Sequence, residues 1–573
     1  TLVLNFSSAL AAVKLQYQIT GINGEIATNV KKRLDAKFAP IKETLDKHKI
    51  DLFAQQAENE IKQSVAPFGY FKPQVHSTLT ATSNNNWFLR LTIMLGPRIQ
   101  VSRLALTING AGRSDIAFQQ LQRNLPIKTG DVFTSTAYED AKGSLVNLAQ
   151  QRGYFDAKSM TSRVIISQSP YAANITLVFD TGPRYRFGPV NFVHTEIFGT
   201  QLSQDFLLRF VPFKEGDCYD NDLLNKLQSN LGSSGDFTAV VVTPQSERAI
   251  GKYVPITVTL TPSKSQLYNF GGGYGTDTGI RGRTSVKLRR LTDTGHYVAM
   301  DVRGAGQEHE LDTSVQLSYN IPGKDPNKDL YKFSLEGQDN DDDEIGVSKN
   351  LKANASYTSE PFGWQQTIGL TLLFERSQPV GQIPDTSTFL IPNINWLRIK
   401  SDDPLLPNKG YRINLSLRGA SRATLGSTDF FQAYLQTKWL YSFTDSFRMI
   451  VRGDIGTIAV QDTEDIPLSL RFFAGGAASV RGYHYNAIGK YISGADIAVA
   501  SLELQHRLYK QIYLCAFVDA GNVSSSFFDQ YNRGVGGGLV WRSPIGSFSL
   551  TLAQALDIPG KPSLVQFNMG ADL

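Results

Sequence analysis

This sequence has very little cysteine, no long apolar run and no large excess of one charge. Its 573 residues include only two cysteines, Cys218 and Cys515, which lie far apart. This excludes a disulfide framework, and a bridge between the two is not expected. No apolar run reaches the roughly 18 residues that a membrane-spanning helix needs. The net charge of +5 is nearly balanced, and no block of Lys and Arg indicates nucleic-acid binding.

Residue sets of the kind that enzymes use are also missing. The seven histidines form no ligand cluster, and no nucleophile–base–acid set is visible. The stretch FGGGYG at 270–275 resembles a phosphate-binding loop, but no helix follows it. The acidic run DNDDDE at 339–344 lacks the spacing of an EF-hand, so a solvated loop is favoured over a calcium site. We expect neither an enzyme, nor a metal, nor a cofactor.

The N-terminus indicates export. A short apolar stretch ends in Ala9-Leu10-Ala11, a small-x-small pattern that is typical of signal-peptide cleavage sites. Residues 1–11 are therefore predicted to be a residual signal peptide. The alternative is an ordinary buried strand.

Residues 12–263 contain three similar units. FGYFKPQV at 68–75, RGYFDAKS at 152–159 and SGDFTAVV at 234–241 each end a helical pattern and begin a strand. They recur about every 85 residues, and fixed-period similarity indicates tandem domains. Each unit reads as strand, helix, helix, strand, strand, with a sheet edge that could accept a peptide strand; a rigid spacer is the alternative. The predicted domain boundaries are 12–97, 98–183 and 184–263.

Residues 264–573 follow a strand pattern. In TSVQLSYNI at 313–321 and YRINLSLR at 411–418, apolar and polar residues alternate. The polar face repeatedly carries charged residues, and no helix is available to cover the apolar face. About sixteen such strands are present, an even number as in bacterial barrels. The pattern predicts a transmembrane β-barrel of about 16 antiparallel strands, with lipid outside and water inside. The stretch 334–346 is predicted to be one of its long loops.

One long stretch between two strands has no periodicity but contains RFFAGGAASVRGYHYNAIG, at 471–489. Structureless stretches of this length are uncommon in compact domains unless they are functional. On the next two strands, alternation turns Glu503 and Asp519 toward the lumen. If the loop folds back into the barrel, Arg481 is their natural partner, because a planar guanidinium can hold a carboxylate bidentately. Gly482 would permit a turn next to it.

These motifs resemble a known family. SVRGY on the loop and FVDAG on a later strand are similar to the paired motifs of the BamA/TamA outer-membrane assembly superfamily, and the three units resemble POTRA domains. RYRFGPVNF, VPFKEGD, LRFFAGGAASVRGY and SLELQ are similar to its TamA branch. The resemblance spans essentially the whole chain, and it implies that the loop arginine contacts the acidic strand motif. The loop motif comprises Arg471, Gly475, Gly476, Val480, Arg481, Gly482 and Tyr483, and its barrel-wall partners are Glu503, Phe517, Asp519 and Gly521.

The resemblance also implies a function. It implies an outer-membrane factor, with POTRA domains in the periplasm, that inserts or secretes unfolded autotransporter-type clients. The implied partner is a TamB-like periplasmic protein anchored in the inner membrane. Two alternatives stay open: a pore of the two-partner-secretion type and a general BamA-like barrel insertase.

Glycine is concentrated in the first predicted barrel strand, which must pair with the last strand to close the barrel. Each glycine inside a strand costs about 0.5–1 kcal/mol relative to alanine. We interpret this seam as a lateral gate whose freed edge templates client strands by β-augmentation, without a nucleotide. Close packing against the loop or a local bend is the alternative. The predicted gate residues are Gly271, Gly272, Gly273 and Gly275 on the first strand and Phe567, Asn568, Met569 and Gly570 on the last.

Overall fold

The computed structural model describes residues 15–38, 47–82, 86–195, 200–276, 279–307, 310–342, 345–404, 406–489, 494–527, 529–544 and 546–570. The predicted signal peptide at 1–11 lies outside these residues. None of the described helices has both the length and the apolar composition needed to cross a membrane. The chain divides into two compact units, and the third repeat contributes to both. The first unit ends at 191 and adds 213–226 and 242–257; the second comprises 192–212, 227–241 and the chain from 258.

Each of the three repeats has a sheet of three strands, accompanied by helices. The strand orders are β1-β3-β2, β4-β6-β5 and β7-β9-β8. In the first two sheets, the middle strand is parallel to the first strand and antiparallel to the other. The elements are β1 Leu15–Thr20, α1 Gly24–Phe38, α2 Lys47–Val65, β2 Gln74–Thr82, β3 Asn86–Met94, β4 Gln100–Asn109, α3 Ile116–Arg123, α4 Ser135–Gln151, β5 Lys158–Gln168, β6 Tyr171–Asp180, β7 Arg186–His194, α5 Gln204–Leu208, α6 Asn221–Ser233, β8 Phe237–Pro244 and β9 Tyr253–Pro262.

Apolar residues at helical spacing explain how the first repeat packs. Residues four apart lie on one face of a helix, and such residues of α1 and α2 are fully buried against alternate residues of the middle strand β3. The helices therefore cover one face of the sheet. This core consists of Val30, Leu34, Ala57, Ile61, Val65, Leu89, Leu91 and Ile93.

The second half of the chain forms one sheet of sixteen strands, in chain order from β10 to β25. Each strand is antiparallel to the next. This confirms the predicted sixteen-stranded barrel behind three small α+β domains. The strands are β10 Gln266–Gly275, β11 Gly279–Leu288, β12 Tyr297–Gln307, β13 Glu310–Pro322, β14 Leu330–Asp342, β15 Gly346–Ser359, β16 Gln365–Pro379, β17 Asp385–Ser401, β18 Lys409–Ala420, β19 Phe430–Ser442, β20 Phe447–Val460, β21 Asp496–Tyr509, β22 Ile512–Ser524, β23 Asn532–Ser543, β24 Gly546–Ala555 and β25 Ser563–Gly570.

Alternation along these strands agrees with the sequence pattern. On β22, Phe517 and Asp519 are buried on the inner face, whereas Leu514 and Val518 are exposed apolar residues on the outer face. The prediction of a long loop at 334–346 is wrong. There β14 and β15 pair continuously until Asp342 lies opposite Gly346. The backbone ladder continues through the acidic residues, and one of them has a cation opposite it: the Nζ of Lys349 lies 2.8 Å from Oδ2 of Asp339, its register partner.

Candidate functional site

The stretch between β20 and β21 folds back into the barrel and makes a short hairpin of its own. Ala474 and Ile488 exchange backbone hydrogen bonds of 3.0 and 2.9 Å, and the Gly476 N–H donates to the Tyr483 carbonyl at 3.1 Å. Val480 is fully buried, in one apolar cluster with inward-facing wall residues such as Val499. At this level, the lumen therefore holds a packed core, not the water-filled interior predicted from the sequence. We call residues 461–489 the lumen loop.

Arg481 lies at the tip of the lumen loop and binds both carboxylate oxygens of Asp519. Its Nε donates to Oδ2 of Asp519 at 2.7 Å, and its Nη2 donates to Oδ1 at 2.9 Å. The backbone N–H of Arg481 also donates to Oδ2 of Asp519, at 3.0 Å. The remaining guanidinium nitrogen, Nη1, donates to Glu503. Bidentate, charge-assisted bonds of this kind are the strong ones and fix the orientation of both groups.

Two further side chains of the barrel wall, Phe517 and Arg452, contact the Arg481–Asp519 ion pair. The guanidinium carbon of Arg481 lies 3.4 Å from the ring centroid of Phe517, a cation–π contact. Arg452 on β20 places Nη2 3.9 Å from Oδ1 of Asp519 and donates through Nη1 to the Ala478 carbonyl at 2.7 Å. Two cations thus face two carboxylates. Asp519 is fully buried, so an unpaired charge here would be costly.

Two glycines let the loop tip approach the wall this closely. Gly482 has φ of +93°, and a Cβ there would lie 2.9 Å from the backbone nitrogen of Ala555. Gly534 on β23 is the register partner of Asp519, and a Cβ on it would lie 2.0 Å from the Arg481 carbonyl oxygen. Such a distance is impossible without a shift of backbone. Side chains at both positions would therefore lift the loop tip off the wall.

The structure brings together most, but not all, of the predicted loop and wall residues. Val480 lies directly over Gly521. The Tyr483 hydroxyl donates to the Arg533 carbonyl at 3.4 Å. Gly475 and Gly476 lie in the hairpin next to Ala474. Arg471 stands apart from the Arg481 cluster: it donates to two carbonyls of its own segment, those of Ile466 at 2.7 Å and Glu464 at 3.0 Å.

Several contacts of the lumen loop were missed by the sequence analysis. On β16, buried Glu375 accepts a hydrogen bond from the Ser469 N–H at 3.1 Å. Three further wall side chains bond the loop: Gln432 to the Leu470 carbonyl at 3.0 Å, Asp342 to Asn486 at 2.9 Å and Gln566 to the Gly482 N–H at 3.2 Å. Alternation could have marked these side chains as inward-facing. It could not have shown which ones meet the loop.

The seam between the first and last barrel strands differs from every other strand pair. No ladder joins β10 to β25 within the described ranges. The Thr276 N–H, just beyond β10, donates to the Phe567 carbonyl at 3.4 Å, and the Phe567 N–H donates to Oγ1 of Thr276 at 3.0 Å. The ring centroids of Tyr274 and Phe567 lie 6.3 Å apart. Along their described lengths, both strands therefore keep most of the backbone groups on this edge free of a ladder partner.

Three of the four glycines of β10, Gly271, Gly272 and Gly273, lie in open surroundings. A Cβ added at Gly271 or Gly273 would meet nothing within 4 Å, and one at Gly272 would come no closer than 3.8 Å to a neighbour. The whole strand, including Gly275, pairs regularly with β11. Neither close packing against the loop nor a local bend accounts for Gly271, Gly272 and Gly273, whereas Gly275 is buried. Asn568, Met569 and Gly570, the other predicted gate residues, lie on β25, where they pair with β24.

The described residues hold no group of three or more His, Cys, Asp or Glu placed to bind a metal ion. Cys218 is an exposed free thiol and Cys515 a buried one.

Both the barrel and the N-terminal repeats match models of known protein families. The Omp85 superfamily domain matches residues 291–572. The barrel is a member of the Omp85 superfamily. Ahead of this Omp85 barrel, the first POTRA domain of TamA matches residues 16–95, and a POTRA family described as a surface antigen variable number repeat matches 105–182 and 185–263. The three N-terminal repeats are thus POTRA domains.

Individual relatives of this chain are distant. The outer membrane protein assembly factor BamA of Neorickettsia risticii is 22% identical over 87% of this chain and 69% of its own length. BamA of Neisseria meningitidis serogroup B is 22% identical over 88% of this chain and 70% of its own length. The crystal structure of Haemophilus ducreyi BamA lacking POTRA domains 1–3 has a TM-score of 0.67 at 17% identity, over 82% of this chain and 99% of that one.

Proposed function

We propose that this chain is an outer-membrane assembly factor that inserts unfolded client proteins into the membrane through the seam between β10 and β25. The observation that supports this is that the described residues of β10 and β25 form no ladder with each other, in a sheet whose neighbouring strands are otherwise all paired. Unpaired strand edges are templates for another strand. A client segment can add to β10 by β-augmentation, with main-chain hydrogen bonds giving affinity and alternate side chains giving selectivity.

The energy for insertion comes from the client. A strand in lipid must satisfy every backbone group internally, so a partly paired client is driven to add further strands until its own barrel closes. Burial of the client's apolar outer face in the membrane adds to this drive. No nucleotide is needed. In this mechanism, the lumen loop keeps the β21–β23 wall fixed while the seam opens.

Within the superfamily, we place the chain in the TamA branch. The TamA match to the first POTRA domain supports this, together with the three repeats ahead of the barrel. The POTRA domains then lie in the periplasm and receive a TamB-like partner, and the clients are of the autotransporter type. A general BamA-like insertase is the nearest alternative, because the curated relatives named above are BamA proteins. The gate mechanism is the same for both.

Reconstitution into liposomes tests the proposal. Vesicles that contain the full-length protein should speed the folding of a small β-barrel client without ATP or GTP, relative to protein-free vesicles. The folded client should become part of the bilayer and resist protease. Release of the client into the vesicle interior would favour a two-partner-secretion pore. Strict nucleotide dependence, or no effect on folding rate, would reject insertion through the seam.

A further inference from the structure

A single glutamine connects the tip of the lumen loop to the gate strand. Gln566 lies on β25 and is 3% exposed. Its Oε1 accepts a hydrogen bond from the Gly482 N–H at 3.2 Å, and its Nε2 donates to the Tyr483 carbonyl at 3.5 Å. One side chain of the last strand thus bonds the two residues that directly follow Arg481.

The lumen loop and strand β25, which Gln566 connects, are held to different degrees. On the loop side, Arg481 is held by Asp519, which is fully buried. On the other side, β25 has a ladder only with β24 among the described residues. Backbone of β24 also touches the loop tip, because Gly482 lies close to the Gln554–Ala555 peptide. The loop tip therefore rests on the strands nearest to the open edge.

We propose that Gln566 is a positioning residue that fixes β25 to the lumen loop and thereby holds the seam closed in the absence of a client. Arg481 holds the loop against the wall. Because Gln566 hydrogen-bonds the loop next to Arg481, β25 is held in place as well and stays next to β10. This inference rests on the proposed gate, but its test needs neither a client nor an insertion assay.

The test is hydrogen exchange of the β25 backbone amides in the full-length protein in lipid bilayers. In Gln566→Ala, the buried Gly482 N–H loses its acceptor, and β25 loses its connection to the loop. We expect β25 amides to exchange about tenfold faster, since local opening sets their protection. Residues of β21 and β22 should keep their protection, because the Arg481–Asp519 pair is untouched.

Gln432→Ala is the matched control. Gln432 is also 3% exposed and also bonds the lumen loop, through the Leu470 carbonyl at 3.0 Å, but it lies on β19, far along the sheet from the seam. Its loss should leave β25 exchange unchanged. Equal acceleration of β25 in both variants would mean that any loosening of the loop reaches the seam, and would overturn a specific role of Gln566.

The double variant Arg481→Ala with Gln566→Ala shows whether Gln566 acts through the lumen loop or only stabilises strand β25 directly. If Gln566 acts through the anchored loop, Gln566→Ala should have little further effect on β25 exchange once Arg481→Ala has released the loop tip. If Gln566 only stabilised β25 itself, Gln566→Ala would accelerate β25 exchange equally in wild type and in Arg481→Ala, and that result would overturn the proposal. Unchanged β25 exchange in Gln566→Ala alone would overturn it as well. If insertion in liposomes failed while these exchange results held, the proposed function would be wrong, but the coupling of loop and strand would stand.

Discussion

The β21–β22 wall and the β10–β25 seam belong to one sheet, yet they are held in opposite ways. The wall has a ladder that is regular from Asp496 to Arg507, and its buried carboxylate is neutralised by the lumen loop. The seam has no ladder in the described part of the chain and no side chain on three successive residues of β10. The difference indicates that side chains on the inner face fix the wall, whereas the seam has no comparable support, and in our proposal the seam is where the strands separate.

The largest effect should come from reversing the charge at the loop tip. Arg481→Asp places a third carboxylate next to Asp519 and Glu503 and leaves a buried charge without its partner. Breaking a buried ion pair in this way costs about 3–5 kcal/mol. The loop should become protease-sensitive and insertion should be lost, while the barrel still forms. Limited proteolysis and the liposome assay measure these two results.

Two further variants sharpen this prediction. Arg471→Asp changes an arginine of the same loop whose hydrogen bonds, among the described residues, go to its own segment, and it should affect protease sensitivity much less. The exchange Arg481→Asp with Asp519→Arg should recover only part of the loss, because Arg452 then faces a second cation. Equal loop protection in wild type and Arg481→Asp would show that the arginine does not anchor the loop.

An intermediate effect is expected at Gly534, on the wall. Gly534→Ala directs a methyl group at the Arg481 carbonyl, 2.0 Å away at the ideal Cβ position. Overpacking of this kind costs about 1–3 kcal/mol. The loop tip should move off β23, and protease sensitivity should rise although every charged residue is retained. Unchanged protection would mean that the tip does not depend on close contact with β23.

The smallest effect, and one of opposite sign, is expected for the same substitution at the seam. At Gly273, an added Cβ meets nothing within 4 Å, so Gly273→Ala should stabilise β10 by about 0.5–1 kcal/mol. Hydrogen exchange in β10 should slow, and client insertion should become a few-fold slower if opening limits the rate. Faster exchange in Gly273→Ala would contradict the view that these glycines loosen the strand.

Much of this comparison could be predicted from local pattern. Alternation alone turned Glu503 and Asp519 inward, and the unusual length of the loop pointed to Arg481 as their partner. The contacts of Gln566, Glu375 and Arg452 could not be predicted, because they depend on strand tilt and on where the loop crosses the lumen. Alternation gives the face of a residue and not its height in the barrel.

The acidic stretch 334–346 also shows that local sequence does not reveal partners on other strands. Its composition resembles a solvated loop, but the stretch continues a paired hairpin in which Lys349 lies opposite Asp339. Composition cannot reveal such pairing because the neutralising charge lies on another strand. The packed lumen was likewise hidden from the sequence, since the apolar residues of the loop have no period that marks them as buried.

Reversible locking of the seam tests the central claim most directly. The Thr276–Phe567 contact, continued by one residue in antiparallel register, places Gly275 opposite Asn568. Gly275→Cys with Asn568→Cys should therefore form a disulfide, in a background where Cys218→Ser and Cys515→Ala remove the native thiols. Thr358→Cys with Thr367→Cys is the control, because it links register partners of a closed ladder.

In liposomes, our account predicts that oxidation of the seam pair lowers client insertion at least about tenfold, as expected if a required strand separation is blocked. Reductant should restore it, and the β15–β16 control should stay active when oxidised. Full insertion activity in protein whose seam is completely crosslinked would contradict the account.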